Sequence, residues 1–504
     1  MNRFFACAAG FAATFGTLAA VAENSPETTA RPAADSVAVG KELFHREWLA
    51  NDPRSHGGDG LGPVFNESSC VACHNQGGAG GGGAASNNVA ILTISPNFPS
   101  VKLTDEQRTA LRQELSNLRL AVGLSPADET TPETTSLVIH RFGLSEQHGQ
   151  WKNSLQSQLA GVLQAFPSSQ PIRQAQFVQR PAVSSSVGFQ QLEFVTPIST
   201  NENLLTRFAS RLQQFQSAST TARSTTVHGS HILTTSQRNA TALFGVGLID
   251  SITDEQIEAA ASKKHAEFPQ VTGRVSRTKD GKIGRFGWKA DTTSLKAFTM
   301  AACAVELGLH VPGHAQASIP YDQKYEPAGL DLNAAELNSL TDYLSDLPQP
   351  VERTPDNKAA ADLIHQGREL FAAVGCTTCH SPSLGDVEGI YSDLLLHDLG
   401  PHLSDVGTSY GQSVPDPLPL ADANDDPGQP KSIPALASEW KTPALWGCRD
   451  SGPYLHDGRA DSLEQAIALH DGEAQDSTMQ FLMLTPQKRQ LLVAFLKTLR
   501  APEK

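Results

Sequence analysis

The chain has 504 residues, 39% of them hydrophobic and 18% charged, which suits two or three globular domains and excludes a disordered or coiled-coil protein. Lys and Arg number 39 against 53 Asp and Glu, a net charge of −14. So acidic a surface speaks against nucleic acid or an anionic membrane as partner and for a basic redox protein or a small molecule.

Residues 1–22 read as a secretory leader. Arg3 supplies the charge, Phe4 to Ala19 the apolar run, and Ala20-Val21-Ala22 the small-residue cleavage site. The run is short for a bilayer span, so an exported, periplasmic protein with no membrane span is expected. Residues 23–35, rich in Pro, Thr, Ala and acid, read as a flexible segment.

Three internal echoes organise the rest of the chain. Gly40-Lys-Glu-Leu-Phe44 answers to Gly367-Arg-Glu-Leu-Phe371, and Leu340-Thr-Asp-Tyr-Leu-Ser-Asp-Leu347 to Leu492-Val-Ala-Phe-Leu-Lys-Thr-Leu499. Thr241-Ala-Leu-Phe-Gly245, followed by Lys289-Ala-Asp291 and Ser294-Leu295, answers to Thr442-Pro-Ala-Leu-Trp-Gly447 and Arg459-Ala-Asp-Ser-Leu463. The chain therefore reads as two copies of one helical unit. The first spans 36–350, a Pro-rich linker 351–357 follows Pro348-Gln-Pro350, and the second copy spans 358–504. The first is more than twice as long, which places an insertion at about 75–240. Strand-period patterning is scarce, so the class is mainly α, with a small strand pair conceivable near Val187–Val195.

Cys70-Val-Ala-Cys73-His74 and Cys376-Thr-Thr-Cys379-His380 carry the strongest chemical signal. The spacing puts two thiols on one turn, where they can bond the two vinyl groups of a porphyrin, with the adjacent His beneath the iron. Structural zinc also uses Cys-x-x-Cys and His, but does not need the His next to the second Cys, twice over. Two covalently bound haems c are the expected cofactors. Of the seven Cys, Cys303 and Cys448 are left after these four and Cys7; they could pair or lie as separate buried thiols.

On these motifs the chain resembles the di-haem oxidoreductases related to bacterial di-haem cytochrome c peroxidase, in the branch labelled thiol oxidoreductase-like. Gly60-Leu-Gly-Pro-Val-Phe65, Arg285-Phe-Gly-Trp-Lys289, the stretch from Tyr391 to Gly400, Lys441-Thr-Pro-Ala-Leu-Trp446 and the stretch from Gly452 to Ile467 carry the resemblance. It implies two cytochrome c-like haem domains, the first here enlarged by the insertion. The C-terminal haem would store electrons and the N-terminal haem would do the chemistry. Family activities include hydrogen peroxide reduction and oxidative modification of a protein. A small cytochrome or cupredoxin is the implied redox partner, and calcium between the domains is left open.

Ser462 with Gln465 reads as a capping box, and Leu463, Ala466, Ile467 and His470 then fall on one apolar face. By resemblance, His470 stands where the family has the Met that completes the second haem; His456 is the rival ligand. In the first copy the equivalent helix starts at Ser294-Leu295 and carries Ala302 at the place of His470, which leaves the first haem open on that side. His140, His148, His228, His231, His310, His314 and Met300 remain alternative ligands for it. Glu306, one turn beyond Ala302, is the candidate acid–base residue. Trp288 is the candidate relay between the haems, and Arg285, Arg459 and Lys289 are candidates to pair with haem propionates. Two further readings stay open: an electron carrier with both irons six-coordinate, and a haem-based sensing module.

Overall fold

The computed structural model describes residues 32–96, 104–128, 134–158, 224–228, 230–278, 280–322, 324–405 and 435–503. The leader 1–22, most of the segment 23–35 and the strand pair expected near Val187–Val195 lie outside them. In chain order the first part holds α1 (Ala34–His45), β1 (Val64–Phe65), α2 (Cys70–Cys73), β2 (Val89–Pro96), α3 (Asp105–Ala121), β3 (Thr135–Ile139), β4 (Phe142–Gly143) and α4 (Glu146–Gln158). Then come β5 (Ser224–His228), β6 (His231–Arg238), α5 (Val246–Ser251), α6 (Asp254–Ala261), α7 (Leu295–Glu306) and α8 (Ala334–Ser345). The second part holds α9 (Lys358–Ala373), β7 (Ser383–Leu384), β8 (Val387–Glu388), β9 (Leu396–Asp398), β10 (Glu439–Lys441), α10 (Leu463–Ala468), α11 (Gln475–Met483) and α12 (Pro486–Leu496). The structure is mainly helical with small sheets.

The sequence echoes fall on two matching helix pairs, α1 against α8 and α9 against α12. Helix α8 starts from a full capping box, Asn333 with Glu336, and α12 from Thr485 with Pro486 in its first turn. Leu337, Leu340 and Leu344 of α8 fall at i, i+3 and i+7 and are buried, each contributing about 1.5–3 kcal/mol. The shared glycines mark the crossings. A Cβ on Gly40 would run into Ser339 O, and one on Gly367 into Leu491 O, so each pair packs backbone to backbone there.

Residues of the expected insertion form a four-stranded antiparallel sheet in the order β3-β2-β6-β5. Ala90, Leu92 and Ile94 of β2 meet Leu115 and Leu118 of α3 in a separate core. The opposite face of β2 is buried too, through Ile91 and Thr93, while β6 buries Thr234, Thr235 and Ser236. Burial on both faces, partly by polar residues, removes the alternation by which a strand is read, and the sheet is hidden in the sequence for that reason.

The main core does not respect the boundary between the two copies. Leu384, Val387, Ile390, Leu394, Leu395 and Trp446 pack into the cluster built by α1, α5, α7 and α8. The Pro-rich linker is anchored in turn, since Glu352 bridges Leu499 and Arg353 N donates to Thr498 O.

Candidate functional site

Cys70 and Cys73 sit at the two ends of α2, and His74 caps it, its N–H donating to Cys70 O at 3.0 Å. Cys376 and Cys379 flank a matching 3₁₀ turn in which His380 N donates to Cys376 O at 2.9 Å. Cys70, Cys73 and His74 line a cavity of about 120 Å³; Cys376, Cys379 and His380 line one of about 290 Å³. Each histidine is held by one ring nitrogen. His74 Nδ1 donates to Thr241 O at 3.0 Å and Gly81 O at 3.2 Å, and His380 Nδ1 donates to Tyr391 O at 3.0 Å. A carbonyl accepts only from N–H, so both rings are Nδ1–H tautomers with the Nε2 lone pair left over. Burial keeps both imidazoles neutral, lowering His380 to about 4.

Two equivalent helices contribute to the linings of the two cavities. Ser294 and Ser462 cap α7 and α10 in the same extended conformation, each side chain accepting from the N–H three residues on. The reach-back expected of Gln465 differs: its side chain accepts from Asp461 N at 2.8 Å rather than from the cap residue. Leu463, Ala466, Ile467 and His470 all line the larger cavity. His470 lies just past the end of α10, and its Nδ1 donates back to Ala466 O at 2.7 Å, which frees Nε2 as in His380. In the smaller cavity the same positions are Leu295, Phe298, Thr299 and Ala302, with Glu306 a turn further along. Of the described residues lining it, His74 is the one histidine. His140 and His310 are bound to Val305 O and Gly329 O, His148 to His140 O and His314 to Ala315 O. His231 is buried in the sheet 3.8 Å from Glu114. Met300 packs against the core.

Around Glu306 the structure assembles a polar group that sequence reasoning missed. Asn66 Nδ2 donates to Glu306 Oε2 at 2.8 Å, and Arg141 N donates to Asn66 Oδ1 at 3.0 Å. Arg141 pairs with Glu67 at 2.6 Å, and Glu67 and Asn87 line the cavity beside Glu306. Burial raises the Glu306 carboxyl to about 7, against the opposing pull of Asn66 and Arg141. Asn66 directly follows the Gly60–Phe65 motif, four residues before Cys70, a position that could have drawn attention; Arg141 enters from the insertion and carries no such signal.

Trp288 lines both cavities, and its Nε1 donates to Asn239 O at 3.0 Å. His456 faces the larger cavity but stacks on Trp440, 3.7 Å between ring centroids at 10°, with Nε2 3.6 Å from both Asp405 and Asp457. Arg285 bonds Asp254 and Ile252 O, Arg459 bonds Asp457, and Lys289 donates to Leu436 O, Ala437 O and Glu439 O at 2.6–3.0 Å. Lys441 also lines the larger cavity; burial lowers its ammonium to about 8 although Asp291 and Asp393 oppose it. Cys303 and Cys448 are separate buried thiols in different cores.

This donor set fits haem. Each cavity has a pair of free thiols one turn apart and a neutral histidine whose outer nitrogen is fixed by backbone. Among the described residues, no three His, Cys, Asp or Glu side chains group so as to hold a bare metal ion, as zinc would require.

Two such cavities, which share Trp288 among their lining residues, fit a two-centre haem protein. The chain belongs to the di-haem oxidoreductase family: residues 211–413 and 420–499, more than half the sequence, match the family described as "Di-haem oxidoreductase, putative peroxidase". It is 29% identical over 199 residues to methylamine utilization protein MauG of Methylorubrum extorquens, covering 38% of this chain and 50% of that one. It is 28% identical over 157 residues to cytochrome-c peroxidase IdrP1 of a Pseudomonas strain, covering 27% and 40%. The match thus spans half or less of these relatives' length. A solved MauG-like protein associated with microbial copper homeostasis aligns at 18% identity over 50% of this chain and 90% of that one, with a TM-score of 0.26. No helix among the described residues is long and apolar enough to cross a membrane.

Proposed function

We propose that this chain is an exported di-haem c peroxidase that reduces hydrogen peroxide at its N-terminal centre with electrons received at its C-terminal centre. The asymmetry between the two equivalent helices carries the reading: His470 lines the same cavity as His380, whereas Ala302 and Glu306 line the cavity of His74. One centre is thereby closed by two histidines and suited to electron storage, and the other is left open for a small oxidant.

Cys70 and Cys73, and Cys376 and Cys379, would attach the two haems; His74, His380 and His470 would ligate the irons. Haem c, when bound, supplies the electrons and the coordination site for peroxide. Glu306 takes the proton of the oxygen nearer the iron and returns it to the departing oxygen. Its carboxyl, at about 7, is matched to both halves of that task at neutral pH. Trp288, which borders both cavities, is placed to relay electrons between them. The acidic surface suits a basic small cytochrome or cupredoxin as donor.

The test is Glu306→Gln. It should lower peroxide turnover about 10²- to 10⁴-fold while both haem spectra stay intact. A wild-type protein that, supplied with reductant, leaves peroxide untouched would instead support a di-haem electron carrier.

A further inference from the structure

Asn66 is 1% exposed, and every direction of its carboxamide is determined. One side-chain atom faces Arg141 N–H at 3.0 Å; a backbone N–H can only donate, so this atom is the oxygen Oδ1. The other atom is therefore the amide nitrogen, 2.8 Å from Glu306 Oε2. Asn66 N also donates to Glu306 O at 2.7 Å, which fixes the two main chains to each other. An amide nitrogen donates and does not accept, so Oε2 must offer it a lone pair in either protonation state. The carbonyl oxygen of a neutral acid accepts better than its hydroxyl oxygen, so the bond favours the proton on Oε1.

We propose that Asn66 is a positioning residue for the peroxide reaction: clamped by the Arg141 N–H of the insertion, it favours Oε1 as the oxygen that carries the Glu306 proton. The proposal rests on the reading of Glu306 as proton carrier. In that step the proton passes from the nearer peroxide oxygen to Oε1, then from Oε1 to the farther oxygen as the O–O bond breaks. Two electrons from the donor protein and two protons overall convert hydrogen peroxide to two waters. The inserted sheet region thus acquires a chemical task, because it supplies the N–H that decides which way the carboxamide points.

The pH dependence has a definite sign. Burial raises the Glu306 carboxyl, while the Asn66 donor and the Arg141 charge lower it. The other groups around it are Glu67, paired with Arg141; Cys73, whose thiol is consumed on haem attachment; and His140, bound to Val305 O and held neutral by burial. Losing the donor removes a lowering influence, so the ionised base forms only at higher pH. The acid limb of kcat/KM should move up by about one pH unit, which is about tenfold slower turnover below the limb.

The experiment is the pH profile of peroxide kcat/KM for Asn66→Leu, with haem spectra as the check on folding. Asn66→Asp is the second variant. It keeps an acceptor for Arg141 N–H but sets a carboxylate against Glu306, and a pair sharing one proton also moves the limb up. In the Glu306→Gln background, Asn66→Leu should add no further loss, because its effect runs through the missing carboxylate. A limb at the wild-type position in both variants, or full additivity with Glu306→Gln, overturns the proposal and leaves the role of Glu306 standing. If Glu306→Gln turns over as fast as wild type, the proton-carrier reading itself falls and the proposal with it.

Discussion

His74, His380 and His470 share one device: each lines a cavity and gives the Nδ1 hydrogen to a backbone carbonyl, which leaves Nε2 with its lone pair. The carbonyl fixes the tautomer and the ring angle, so on the proposed reading an iron would meet a nitrogen already prepared to bind it. His470 differs from the other two in lying outside a Cys-x-x-Cys-His motif, so its proposed role can be tested without touching the proposed haem attachment. His470→Ala should convert one low-spin iron to high-spin and leave the other spectrum unchanged. Should His456→Ala do this instead, the turn and not the helix supplies the ligand; its stacking on Trp440 and its contacts with Asp405 and Asp457 argue that it does not. Burial lowers His456 to about 4, so this stack stays uncharged at neutral pH.

The glycines at the helix crossings belong to the scale of elements. Gly367→Ala would gain about 1 kcal/mol in helix propensity, yet its new methyl meets the backbone of Leu491 on α12. A backbone contact cannot rotate aside, so a net loss of about 1–3 kcal/mol is expected from the denaturant midpoint. Gly149 of α4 has open space where a Cβ would go, and Gly149→Ala should raise the midpoint slightly. Local signals decided what was legible at this level. The repeated Gly-x-Glu-Leu-Phe and the apolar spacing of the closing helices announced both helix pairs. Ser294 and Ser462 announced the starts of α7 and α10, on or just past which Ala302 and Glu306 line one cavity and His470 the other. The sheet of β2, β3, β5 and β6 was hidden because both faces of β2 are covered. Asn66 and Arg141 meet Glu306 from sequence positions 240 and 165 residues away, a closeness that no local pattern encodes.

Across the whole molecule, the main core joins the two copies, with Leu384, Val387, Ile390, Leu394 and Leu395 of the second buried against the first. Two haems should therefore be found per chain, both resisting extraction because thioethers hold them; a haemochrome assay returning one, or zinc by elemental analysis, would refute this. The two halves keep the same crossing glycine, the same serine cap and the same lining positions, and part company where one helix has Ala302 and the other His470. Such a pattern is what an ancestral duplication leaves when its descendants divide their labour. On the proposed reading, the division into one centre for chemistry and one for storage needs the difference at this helix position together with the insertion that supplies Arg141. Ala302→His would then be expected to close the first centre as His470 closes the second.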